Sequence, residues 1–153
     1  MRSWQYPTTK FGLENILHLN FTTPLPKPKA DQHLIQIITT ALNPINYKPT
    51  KKIPGVTRFA IPKPATPSIY FVGTIVKPAS GSSLKPGQLV FGVASNLPLA
   101  GDAFAGFCVL GSKSIVALSN DVEPFDIAIV GVAGLIACQS IASYLKIKKI
   151  LDQ

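Results

Sequence analysis

The sequence predicts a mainly β fold with a C-terminal helical segment, and three observations carry that prediction. Fourteen prolines and eleven glycines in 153 residues break element interiors and argue against a helical bundle. Short apolar and β-branched runs recur between turn signals, as in Leu34-Ile35-Gln36-Ile37-Ile38-Thr39-Thr40. The pattern then changes at Glu123-Pro124-Phe125-Asp126, where acidic residues sit near the positive end of a helix that would open there. With 46% apolar and 14% charged residues the chain is too hydrophobic for disorder, and its length suits one core.

In chain order, residues 1–22 read as a strand, a turn containing Gly12, and a second strand over Ile16–Phe21. Residues 23–31 form a proline-rich extended connector. A buried strand follows over His33–Leu42, and Asn43-Pro44 ends it, because proline cannot donate to the ladder and restricts its predecessor. Residues 49–68 read as a long loop punctuated by five prolines. Strands are then expected over Ile69–Val76, Leu89–Val93, Phe104–Leu110 and Ser114–Leu118. Helix runs from there toward Leu145, with a possible interruption near Gly131–Gly134. There is no internal repeat. We divide the chain into residues 1–126, the β domain, and 127–153, the helical segment.

The formal charge of +8 invites a nucleic-acid partner, but the lysines are scattered among prolines and strands. The one dense cluster is Lys146, Lys148 and Lys149, without zinc-finger spacing or stacking aromatics beside it, so no nucleic-acid role is expected. Cys108 and Cys138 form no CxxC pair and read as two buried thiols in a reduced compartment. The N-terminus has no apolar run of the signal-peptide kind, and a cytoplasmic location is expected. Residues 127–145 lack charge and precede lysines, superficially a tail anchor. Gln139, Ser140 and Ser143 interrupt that run and two glycines weaken it, so a buried or interface helix is expected over a membrane anchor.

Four motifs in order carry a family resemblance. Ala41-Leu42-Asn43-Pro44-Ile45-Asn46-Tyr47-Lys48 looks like an active-site loop closing a third strand. Pro67-Ser68-Ile69-Tyr70-Phe71-Val72-Gly73 looks like a Pro-Gly-x-Asp-Phe-Ala-Gly motif. Lys85-Pro86-Gly87-Gln88-Leu89-Val90-Phe91-Gly92 looks like a Pro-Gly-Asp-x-Val-Phe-Gly turn, in a fungal-type form. Gly131-Val132-Ala133-Gly134-Leu135-Ile136-Ala137-Cys138-Gln139-Ser140 looks like a helix usually reading Ala-Gly-Leu-Thr-Ala-x-Gln. Over nearly its whole length the chain resembles the N-terminal domain of the zinc-free medium-chain dehydrogenases/reductases, the quinone and enoyl reductases. The resemblance implies a GroES-like partial barrel, and an oxidoreductase activity that uses NADPH held by a following Rossmann domain.

Zinc-dependent relatives supply Cys and His or Glu ligands from this domain and a four-Cys lobe, as tetrahedral zinc requires. Here Asn43 occupies the loop, the lobe is absent, and His18 and His33 fit neither pattern, so no metal is expected. No GxGxxG fingerprint occurs in the sequence. Leu145–Gln153 falls where the family's first Rossmann strand should start and has roughly that strand's apolar character. The Rossmann domain is therefore expected to be missing, and no cofactor is expected to bind this chain alone. The cleft candidates are Asn43, Asn46, Tyr47, Lys48 and Ile136, the last replacing a family threonine on the nicotinamide side; plain loop structure is the competing reading of the loop residues. No residue is assigned as catalytic.

Departures from the family pattern cluster in these motifs. Asn46 stands for Asp, Ser68 for the turn glycine, Tyr70 for Asp, Val72 for Ala and Gly106 for Glu. Ser68 is expected to strain its turn. Two explanations compete: drift after loss of the cofactor half, and a cleft turned apolar to hold a substrate without cofactor. The first makes the chain a truncated NADPH-dependent enoyl or quinone reductase, not redox-active alone. The second makes it a cofactor-free cyclase or isomerase of secondary, polyketide-type metabolism, working by near-attack geometry. A non-catalytic interaction module is the third possibility. A small-molecule substrate remains possible, and the apolar C-terminal helix is expected to self-associate.

Overall fold

The computed structural model describes residues 1–7, 13–43, 64–94 and 102–151. The described residues form seven strands, two α-helices and one 3-10 turn (Ser112–Ser114) between the last two strands. Strand β1 (Ser3–Gln5) pairs antiparallel with β2 (His18–Asn20), and the single helical turn α1 (Leu13–Ile16) precedes β2. Strands β3 (Gln32–Thr40), β4 (Tyr70–Lys77), β5 (Leu89–Val93), β6 (Phe107–Gly111) and β7 (Ile115–Ala117) form an antiparallel sheet in the order β6-β3-β4-β5-β7. Helix α2 (Pro124–Leu151) closes the chain. The β domain followed by a C-terminal helical segment is the architecture the sequence predicts.

Alternation fixes which faces meet. Along β5 and β6 every second residue is buried, the period-2 signature of a half-buried strand. Their inward residues join Ile35, Phe71 and Ile75 in the main core, with Val90, Ala103, Cys108 and Leu110. A smaller cluster of Tyr6, Leu13 and Ala65 lies under the N-terminal strands. Register shifts in β3 between Leu34 and Ile35 and between Ile37 and Thr39 mark irregularities that bend and twist a strand. Gly92 permits one close approach, since a β-carbon there would lie 2.6 Å from the Phe71 ring.

Several expectations are corrected. Ile16 ends a helical turn, and β2 begins at His18; a four-residue turn is too short for any periodicity to reveal. Residues 104–106 do not belong to β6. Phe104 donates its N–H to Pro67 O (3.1 Å), Gly106 donates to Arg2 O (2.9 Å), and Ala105 forms only an isolated bridge with Ser3. The last turns, expected to have Rossmann-strand character, are helical to Leu151. A helix satisfies its own backbone, whereas a strand needs a neighbour. Cys108 is buried but Cys138 is exposed, because its half of α2 does not touch the sheet.

Candidate functional site

The site is built where β3 ends and β4 begins. After Thr40 the chain leaves the sheet through Ala41, Leu42 and the half-buried Asn43. Asn46, Tyr47 and Lys48 lie outside the described residues. Ser68 stands opposite this exit, fully buried, with φ +69°. The glycine of the family motif would adopt that backbone without cost, and serine does not.

Hydroxyl groups knit this junction. Ser68 Oγ donates to the Ala41 carbonyl at 2.9 Å, and Thr40 Oγ1 donates to the Tyr70 carbonyl at 2.6 Å. The two hydroxyl oxygens are also 2.9 Å apart. Three contacts share two protons, so at any moment one of them lacks its proton. Behind them the backbone of 66–68 pairs with 102–104: Asp102 N–H to Thr66 O, Phe104 N–H to Pro67 O, and Ala103 N–H to Ser68 O, between 3.1 and 3.3 Å. Asp102 also has positive φ, at +60°. Burial, with the Asp102 carboxylate adding to it, pushes the Cys108 thiol up to about 12, which makes it an inert core group.

Tyr70 faces the helix. Its ring stacks on Phe91 with centroids 6.2 Å apart and 17° between planes. A β-carbon on Gly131 would come within 2.6 Å of that ring, so α2 docks here through a glycine. Ala128, one turn earlier, is buried as well. Ile136 is 56% exposed on the same helix, beyond this seat. An open cleft of about 260 Å³ also borders the end of β3, lined by Arg2, Trp4, Ile38, Thr40 and Phe104 among others.

Of the sequence candidates, the structure therefore places Asn43 beside the hydroxyl junction and Ile136 on exposed helix. Thr40 escaped sequence reasoning altogether, because a threonine at a strand end is ordinary. Ser68 was noticed only as a lost glycine; its role is to hold the strand exit. The arrangement is a part-buried network of neutral hydroxyls, of which Thr40 also lines the cleft together with Arg2. Among the described residues no three His, Cys, Asp or Glu side chains come together as a metal site.

No family model matches the chain. It is 34% identical over 156 aligned positions to a trans-enoyl reductase, pgmF, of Aspergillus terreus, covering 95% of this chain and 43% of that protein. It is 30% identical over 146 positions to a chloroplast envelope quinone oxidoreductase homolog of Arabidopsis thaliana, covering 94% and 42%. The quinone oxidoreductase of Coxiella burnetii shares the fold with a TM-score of 0.79 at 24% identity, over 94% of this chain and 44% of that one. The Escherichia coli quinone oxidoreductase complexed with NADPH superposes with a TM-score of 0.65 at 17% identity, over 81% and 35%. The chain thus spans less than half the length of the relatives it matches.

Proposed function

Because the chain belongs to the medium-chain dehydrogenase/reductase family, on its quinone and enoyl reductase side, and corresponds to the GroES-like domain, we propose that it forms the substrate side of an NADPH-dependent enoyl or quinone reductase. The observation that carries this reading is the similarity of 95% of the chain to a trans-enoyl reductase. In this reading Asn43, with Asn46, Tyr47 and Lys48 of the same loop, makes polar contacts to the substrate or nicotinamide, and Ser68 with Thr40 fixes the loop's root. Ile136, apolar where the family has threonine, leaves the nicotinamide side without a hydroxyl.

The residues present do not fit the phosphates of a dinucleotide. Pyrophosphate recognition uses a glycine-rich turn feeding a helix N-terminus, and the 153 residues contain no such fingerprint. No hydride-transfer step is therefore assigned to them, and we read them as not redox-active alone and as zinc-independent. Two free cysteines favour a reducing compartment such as the cytoplasm.

Amide-resolved NMR titration tests the proposal. A simple quinone or enone is expected to perturb the amides around Asn43 and Ser68, and NADPH to bind only at millimolar concentration or weaker. Shifts confined to a distant site such as Ser112 would remove the substrate-side assignment. Micromolar NADPH affinity would overturn the placement of the phosphate site outside these residues.

A further inference from the structure

A second cavity, of about 220 Å³, is lined by Gln5, Thr23, Thr66 and Asp102 among others. It shares only Ala105 with the cleft at the end of β3. Its volume falls a little below the roughly 300–1,000 Å³ of ordinary small-molecule sites, which suits a small ligand. The polar lining falls into two groups. Gln5 and Thr23 are committed to one another and to their neighbours. Gln5 Nε2 donates to Thr23 Oγ1 (3.2 Å), Asn20 Nδ2 donates to Gln5 Oε1 (3.0 Å), and Ser3 Oγ meets Thr23 Oγ1 (2.6 Å). The Met1 amino group, also in the lining, donates to the Thr23 carbonyl.

Thr66 and Asp102 are not committed in this way. Thr66 is only 6% exposed, and its hydroxyl has no hydrogen-bond partner among the described residues. Asp102 is the acidic residue of the lining and stands at its exposed rim. Its N–H donates to Thr66 O at 3.2 Å, so carboxylate and hydroxyl hang from bonded backbone. Its φ of +60° is a conformation that aspartate tolerates better than most residues. Desolvation raises its pKa above the ordinary 3.8, and no hydrogen bond to the carboxylate offsets that. An acceptor without a donor, beside a hydroxyl without a partner, suits a ligand that brings N–H groups and positive charge. We propose that this cavity binds a small primary ammonium ion. Its N–H groups donate to the Asp102 carboxylate and the Thr66 hydroxyl, and its short hydrocarbon chain lies against Pro26, Pro64 and Ala94. A divalent metal is the poorer fit, since Ca²⁺ takes about six to eight oxygen ligands. Among the described residues no three His, Cys, Asp or Glu side chains come together to begin such a set.

Amide-resolved NMR titration with propylammonium chloride tests the proposal, with 1-propanol and sodium chloride as controls. Saturable shifts centred on Thr66 and Asp102 are expected, with a Kd on the order of 1–10 mM. Propanol, which lacks the charge, should bind about tenfold more weakly or not at all. Asp102→Asn keeps a residue suited to the left-handed backbone, removes the charge, and should weaken binding about tenfold or more. Thr66→Val keeps the shape and should weaken it by a smaller factor. Equal binding of propanol, binding indifferent to Asp102→Asn, or no saturable shift up to about 100 mM overturns the proposal. So do shifts that sodium chloride reproduces, which would mark screening alone. If a variant fails to fold, the comparison of propylammonium with propanol on the unmodified chain decides.

Discussion

Ser68 stands in a left-handed backbone (φ +69°) in the interior of the protein, at a cost of about 1–2 kcal/mol for a residue with a β-carbon. Its hydroxyl offsets this by bonding the Ala41 carbonyl and meeting Thr40. Two substitutions separate the strain from the bond. Ser68→Ala keeps the strain and leaves buried polar atoms short of a partner, so a loss of about 1–3 kcal/mol is expected. Ser68→Gly loses the same bond but relieves the backbone, and should be the milder of the two by about 1 kcal/mol. That order reverses the one usual at unstrained positions. Urea unfolding of both variants checks it, and alanine proving the milder would mean that Ser68 is not strained. The sequence exposed this position as a missing glycine but not its remedy, because Thr40 lies 28 residues upstream and no local pattern links the two.

Helix α2 seats on the sheet where one glycine meets one aromatic ring, with Ala128 buried one turn earlier. Gly131→Ala would gain about 1 kcal/mol of helix propensity but would place a methyl 2.6 Å from the Tyr70 ring. The ring is backed by Phe91 and has little room to yield, so overpacking of about 1–3 kcal/mol should win. In a Tyr70→Ala background the same substitution should be neutral or stabilising. A double-mutant cycle read by thermal unfolding measures this coupling, and additive effects would mean that the two residues do not meet. Strands of the main sheet were the most legible in the sequence, the edge strand β7 included, which lies within one residue of the expected Ser114–Leu118. β5 occupies the expected Leu89–Val93, and β3 and β4 lie within two residues of their expected ends, because burial imposes a pattern on every position. Residues 104–106 have the same apolar character as β6, yet their backbone partners are Trp4, Pro67, Arg2 and Ile37, which composition cannot announce. The last turns of α2 were ambiguous for the same reason: short apolar runs suit helix and strand alike. The candidate site was legible as a set of motifs, with Asn43 at the strand exit, and illegible as a hydroxyl network.

At the scale of the whole molecule, His33 joins three segments. It sits fully buried on β3, accepts the Ala79 N–H at Nδ1 (3.1 Å) and meets Ser112 Oγ at Nε2 (2.8 Å). Acceptance at Nδ1 fixes the neutral tautomer with its proton on Nε2, donating to Ser112. Burial holds the imidazole pKa below its ordinary 6.5. Between that lowered value and 6.5 the unfolded chain binds more protons than the folded one, so stability rises with pH across this window. Full stability is expected above about pH 6.5, with progressive loss as pH falls below it. His33→Gln should flatten this dependence in urea melts taken from pH 7.5 to 5, and an unchanged slope would assign it to other groups. The strand that carries His33 has a further consequence for how the chain is made. β3 pairs with β4 on one side and on the other with β6, whose residues begin at Phe107. On the ribosome, β3 must wait for that distant strand before its second edge is covered. Residues 127–145 follow after the sheet's last strand, β7. The first turns of the nascent helix therefore emerge when Tyr70 is already available to receive them, so its seat can form as the helix is made.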